Sequence, residues 1–199
     1  NLLAFYTLEP NQMLDISTHL FISTNFFPKP SSDRTLPTHT ERNQVWNYDH
    51  VAFSSPDIKS LTSPKSIYDY VTNKLHYDYQ KINLAGTKRQ PASDILTNPN
   101  SAICTDFTDL FVTLARRANI PSRELEGVAI SDNRDLRPIA DKIDLLHAWP
   151  EYFDKDRKQW IQVDPTWANT TKGTDYFSKL DFNHIVFAIH GLTPLQPLP

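Results

Sequence analysis

The sequence predicts an α+β domain of 199 residues, with helices packed to one side of an antiparallel sheet. Two observations carry this: two segments show apolar residues at helical spacing, and four later segments are rich in β-branched and aromatic residues. A third is their order, helices first and then neighbouring strands.

Taken in order, residues 11–27 hold Leu14, Ile16, Leu20, Ile22 and Phe26 at a period near two, which predicts one or two strands. The Pro-, Ser- and Thr-rich stretch 28–40 reads as a loop. Ser63 is the candidate N-cap and Pro64 the first residue of a helix with Ile67, Tyr70, Val71 and Leu75 on one face. A short helix is expected over 92–96, stopped by Asn98-Pro99. The strongest helix runs from Cys104 to Ala118, with Phe107, Leu110, Phe111, Leu114 and Ala115 at helical spacing, and Asn119-Ile120-Pro121 ends it. Strands are expected over 123–130, 145–153, 159–163 and 184–189, with Asp154 to Lys158 closing a hairpin between the second and third. The charged run 131–144 reads as a long loop.

We divide the chain into an N-terminal strand region and loop, 1–45, packed on the core; a core, 46–192; and a Pro-rich tail, 193–199, with the composition of a stiff linker. The tail and a start at Asn1 suggest an extracytoplasmic segment of a longer protein of the membrane-anchored kind. The 20 basic and 23 acidic residues are intermixed and sum to −3, so no basic stripe exists for nucleic acid. No apolar run approaches the roughly 20 residues of a membrane span, so no membrane contact is expected of this segment itself. One cysteine permits neither an internal disulfide nor a Cys-based zinc cage. Neither cofactor nor metal is expected, and the chain is expected to be a monomer.

An isolated cysteine is most often a small buried hydrophobe. Cys104, however, stands at the first turn of the strongest helix, where orphan N–H groups and the helix dipole favour a thiolate. Asp106 and Asp109 work against that unless they point elsewhere. A thiol enzyme also needs an imidazole and a third group that orients it. His147, on the second expected strand, and Asp164, at the end of the third, become cross-strand neighbours if the hairpin pairs across 154–158. Any one of these residues has an ordinary structural reading; the three in this order point to nucleophile, base and orienter.

Cys104-Thr105-Asp106-Phe107, leading into Ile120-Pro121-Ser122-Arg123, resembles the core of the transglutaminase-like superfamily. His147-Ala148-Trp149-Pro150-Glu151 and Asp164-Pro165-Thr166 are similar to the histidine and aspartate motifs of that family, in the same order, over roughly residues 56 to 190. The resemblance implies a papain-like fold and acyl transfer or hydrolysis at an amide of a peptide-like substrate, as in proteases, amidases and transglutaminases. It assigns Cys104 as nucleophile, His147 as base and Asp164 as the residue holding His147. The oxyanion would meet the Cys104 N–H and a second donor upstream, for which Tyr77 is the candidate. Ala102 stands where the family commonly carries glycine and Thr105 where the animal cross-linking enzymes carry tryptophan, and no Asp-x-Asp-x-Asp-Gly loop is present, so bacterial branches are the closer match.

Trp149 and Trp167, with Trp160, are candidates for lining a substrate groove, although strand aromatics usually face a core. Arg123 is expected to be structural, in an ion pair or as a backbone clamp at the helix-to-strand turn, and Glu151 to have a hydrogen-bonding or solvent-facing role. The alternative to an enzyme is a non-catalytic binding or assembly module that keeps the fold.

Overall fold

The computed structural model describes residues 6–15, 17, 19, 21, 39–81, 88–130, 146–171, 173–180 and 183–191. Four helices come first: α1 (Pro56–Lys59), entered through the 3-10 turn Val51–Ser54, α2 (Pro64–Lys74), α3 (Ala92–Thr97) and α4 (Cys104–Arg117). The strands are β1 (Ser122–Ala129), β2 (Leu146–Asp154), β3 (Gln159–Gln162) and β4 (His184–His190), with helix α5 (Pro165–Thr170) between the last two. They form one antiparallel sheet in the order β3-β2-β1-β4. The α+β architecture is therefore the one that the order of periodicities predicts.

The helix signals act as their chemistry requires. Ser63 Oγ accepts the Ser66 N–H while Ser66 Oγ accepts the Ser63 N–H, a reciprocal cap at the start of α2. Phe107, Leu110, Phe111, Leu114 and Ala115 are all buried on the core face of α4 and meet Ile67, Val71 and Leu75 of α2. Asn119 ends α4 in the left-handed region at φ 59°. The Ile120 N–H then reaches the Ala115 carbonyl and the Asn119 N–H that of Arg116, which satisfies two of the last carbonyls of the helix.

Of the strand expected over 11–27, the described residues 11–15, 17, 19 and 21 belong to no strand, and the others lie outside the described residues, as do 131–144 and the tail 193–199. Residues 39–46 pack on the core. Val45 and Trp46 are buried with Val112, and the His39 and Val45 carbonyls accept the N–H groups of Ser122 and Ala92. Arg116, buried in α4, donates to the carbonyls of Glu41, Ser122 and Gly191 and lies 4.1 Å from the Trp46 ring centroid. A single guanidinium thus joins this arm, the start of β1 and the end of β4. Arg123 pairs with Glu151 and stacks on Trp160, so of the two structural roles expected of it the structure has the ion pair. Among the described residues, no helix is long and apolar enough to cross a membrane.

The hairpin requires one correction. Pairing of β2 with β3 runs from Asp154↔Gln159 to Glu151↔Gln162, and the Val163 N–H still reaches the Pro150 carbonyl. Pro150 has no N–H to return the bond, and Pro165 cannot extend a strand. The chain therefore leaves the sheet at Asp164, which is the N-cap of α5 and not a ladder partner of His147. The residue opposite His147 in the sheet is Gly127 of β1.

Candidate active site

Cys104 is the first residue of α4 and lines a cavity of about 360 Å³ together with His147, Glu126, Gly127, Leu146 and Phe187. The N-cap of α4 is Ile103, whose side chain makes no capping hydrogen bond, so no cap oxygen competes with a thiolate for the first-turn amides. The two acids that threatened this arrangement are neutralised elsewhere. Asp106 Oδ2 accepts from Lys81 Nζ at 2.6 Å and from the Ile103 N–H at 2.9 Å. Asp109 is gripped by Arg89 through Nε and Nη2, at 2.8 and 2.6 Å, and by Trp46 Nε1 at 2.7 Å. Both carboxylates thus have cationic partners and add little repulsion at the thiol.

Asp164 reaches His147 by a route that the hairpin reading did not foresee. Its Oδ1 accepts the Trp167 N–H at 2.9 Å, as an N-cap does, and this leaves Oδ2 directed at the His147 Nε2, 2.8 Å away. Burial pushes the Asp164 carboxyl up, but electrostatic attraction to His147 and the hydrogen bonds from both His147 and His184 outweigh it and hold the group below the usual carboxylate range. An ionised carboxylate only accepts, so the His147 Nε2 carries the hydrogen and its Nδ1 is the nitrogen available to a thiol proton.

A second imidazole, absent from the sequence-based candidates, completes the cluster. His184, at the start of β4, places its Nε2 3.0 Å from the same Oδ2. The ligand atoms of His147, Asp164 and His184 lie within 4.8 Å of one another, so the group has the side chains of a metal site. A carboxylate oxygen that accepts from two imidazole N–H groups accounts for the same short distances, 2.8 and 3.0 Å.

Trp149 and Trp167 are 0% and 2% exposed, and neither belongs to the cavity lining. Trp149 stacks on the His147 ring at 5.7 Å and donates Nε1 to Gln162 Oε1 at 3.0 Å, while Trp167 packs 5.8 Å from the same ring. The groove role expected of them gives way to a wall that braces the histidine, because both rings are buried against the imidazoles of His147 and His184. The exposed apolar rim comes instead from Leu146 and Phe187, 66% and 49% exposed. Pairing of β1 with β4 shifts register between Glu126 and Gly127, and Phe187 is the extra residue of β4 at that bulge, which re-aims it to the rim.

Tyr77 lies beside the segment that enters α4. It forms a parallel bridge with Ala102, made by the Asp78 N–H to the Ala102 carbonyl at 2.8 Å and the Ala102 N–H to the His76 carbonyl at 3.2 Å. Its ring packs on Tyr79 and Phe107.

With this geometry in place, the sequence comparison is decisive. Residues 51–165 match the family model described as the transglutaminase-like superfamily. The chain belongs to that superfamily. The matched span takes in Cys104, His147 and Asp164, and the superfamily core accounts for the thiol-bearing helix packed on an antiparallel sheet. Solved structures similar to this superfamily member include a Cytophaga hutchinsonii protein provisionally assigned as a cysteine protease. It is 21% identical, with a TM-score of 0.48, over 64% of this chain and 40% of that one. Another is the periplasmic domain of TgpA from Pseudomonas aeruginosa, 17% identical with a TM-score of 0.45, over 68% of this chain and 49% of that one. The match thus spans less than half the length of either protein. No curated protein matches the sequence.

Proposed function

We propose that this superfamily member is a thiol enzyme that transfers or hydrolyses the acyl group of a peptide-like amide through Cys104, His147 and Asp164. The observation that carries the reading is a cysteine at a helix N-terminus sharing one cavity with a histidine whose far nitrogen is held by a buried carboxylate. In the first half-reaction His147 Nδ1 takes the thiol proton and Cys104 Sγ attacks the amide carbonyl. The C–N bond then breaks, the imidazolium returns its proton to the leaving amine, and a thioester remains. In the second half, water or an amine attacks the thioester with His147 again as base, which regenerates the thiol. The developing oxyanion would be met by the Cys104 N–H, with Tyr77 the proposed source of the second donor. The apolar rim of Leu146 and Phe187 and the Glu126 carboxylate give the cavity the character of a side-chain subsite. We propose further that the chain acts as a monomer, in an extracytoplasmic compartment; recovery of the native protein in the cytoplasmic fraction would reject that location.

Cys104 is the only thiol, so alkylation by iodoacetamide reports on it alone. The expected result is a rate well above that of a free thiol near pH 6.5, below the ordinary thiol pKa of about 8.5. His147→Ala should abolish the excess. A wild-type rate no faster than a free thiol, with an ordinary pH midpoint, would leave a non-catalytic binding module as the better account.

A further inference from the structure

We infer that His184 is a positioning residue of the thiol site: it fixes Asp164 Oδ2 from a second direction and so sets the tautomer and orientation of His147. The inference rests on the thiol-enzyme reading above and deepens it. In a chain of nucleophile, base and orienter, the last member must itself be held. A carboxylate held by a single donor at each oxygen keeps more freedom about its χ2, a soft torsion for aspartate, than one held by three. Here Oδ1 is anchored by the Trp167 N–H at 2.9 Å, and Oδ2 receives His147 and His184 at 2.8 and 3.0 Å. The three donors come from α5, β2 and β4, elements whose mutual placement the sheet and core determine.

The environment of His184 suits this role and argues against incidental packing. Its side chain is 0% exposed. Its ring lies 4.7 Å from that of Trp167, 5.1 Å from Trp149 and 6.2 Å from Tyr176, so aromatic faces and edges fix its plane. Tyr176 also accepts the Asp164 N–H at its carbonyl, 3.1 Å away, which ties the backbone of the aspartate to the same enclosure. His184 does not line the thiol cavity, so it acts on the reaction through Asp164 and not on the substrate. Removing its donor would leave Oδ2 with His147 alone in a space closed to water, where an under-satisfied carboxylate is costly and relaxes by turning. The His147 Nε2–H would then lose its fixed acceptor, and the share of imidazole with a bare Nδ1 would fall.

The test combines long-range proton–nitrogen spectra of histidine-labelled protein with the alkylation rate of Cys104. In the wild type, both His147 and His184 are expected as Nε2–H forms. A bare Nε2 on His184 would overturn the inference without recourse to any variant. His184→Leu removes the donor and keeps an apolar side chain among the aromatic rings; His147 should then show mixed tautomers, with alkylation at neutral pH slower by about tenfold. His184→Gln, whose amide can donate to Oδ2, should restore most of the rate, which a purely structural histidine would not predict. Wild-type tautomer and rate in His184→Leu would overturn the inference. So would a stoichiometric metal whose removal by a chelator shifts both histidine spectra, because the cluster would then be a metal site. Asp164→Asn separates the two levels of the proposal. If it alkylates as the wild type does, the thiol reading falls and the inference with it; if it slows while His184→Leu does not, only the inference falls.

Discussion

In the proposed enzyme, Asp164 carries both stability and chemistry in one side chain. It caps α5 through Oδ1 and holds two imidazoles through Oδ2, so the carboxylate is needed ionised. A group whose folded pKa is depressed contributes stability that is present above its unfolded pKa and lost as pH falls through the folded value. Asp164→Asn keeps a cap but removes the charge, and is expected to cost about 2 kcal/mol at pH 7. In urea titrations the gap from wild type should narrow below about pH 4, the unfolded value of the group. Asp164→Ala should cost about 1 kcal/mol more, since the Trp167 N–H loses its acceptor as well. A gap from wild type that widens in acid would contradict the assignment. The residue itself was legible in the sequence, through its place in Asp164-Pro165-Thr166. The direction of its side chain was not, because the cap of a six-residue helix fixes it, and so short a helix leaves no 3.6 periodicity to read.

At the scale of elements, the bulge between β1 and β4 shapes the cavity. Gly127 sits at the register shift, where an added Cβ would stand 1.9 Å from the Ile185 carbonyl oxygen and 2.9 Å from its carbon. Backbone cannot yield as a side-chain end does, so Gly127→Ala must part β1 from β4. It should cost about 2 kcal/mol or more, at the upper end of ordinary overpacking. Because β4 carries both His184 and Phe187, the same variant should slow Cys104 alkylation even at temperatures where circular dichroism shows it folded. Native stability with an unchanged alkylation rate would mean that the strands are not held this close. The sequence supplied β1 and β4 to within a residue or two at each end, from their β-branched and aromatic content. Bulge and register were hidden, since both follow from how two distant strands meet.

Over the whole molecule, the thiol-bearing helix is tied to the sheet by a buried charge cluster. Arg89 spans from Asp109 of α4 to Glu124 of β1, and both carboxylates are fully buried. One guanidinium faces these two buried acids and, 4.0 Å away, Glu126. Burial, helped by the Asp109 charge, raises the Glu124 carboxyl well above the usual range against the pull of Arg89. An acid with a raised folded pKa keeps its proton in the native state where the unfolded chain has lost it, so stability declines as pH rises above about 4. Glu124→Gln is neutral in both states and still accepts from Arg89. It should match the wild type near pH 4 and exceed it by about 1 kcal/mol at pH 8, as read from paired melting curves. A deficit that grows with pH would show the carboxylate ionised and favourably paired. The sequence by itself determined the class of fold, the thiol-bearing helix and the choice of Cys104, His147 and Asp164 as candidates, because periodicity, helix-end chemistry and short motifs are local. Only the tertiary structure decided which charges cancel beside the thiol, that Trp149 and Trp167 brace the histidine instead of lining a groove, and that His184 shares the aspartate. Those depend on contacts between segments far apart in the chain, set by the packing of α4 and α5 on the sheet.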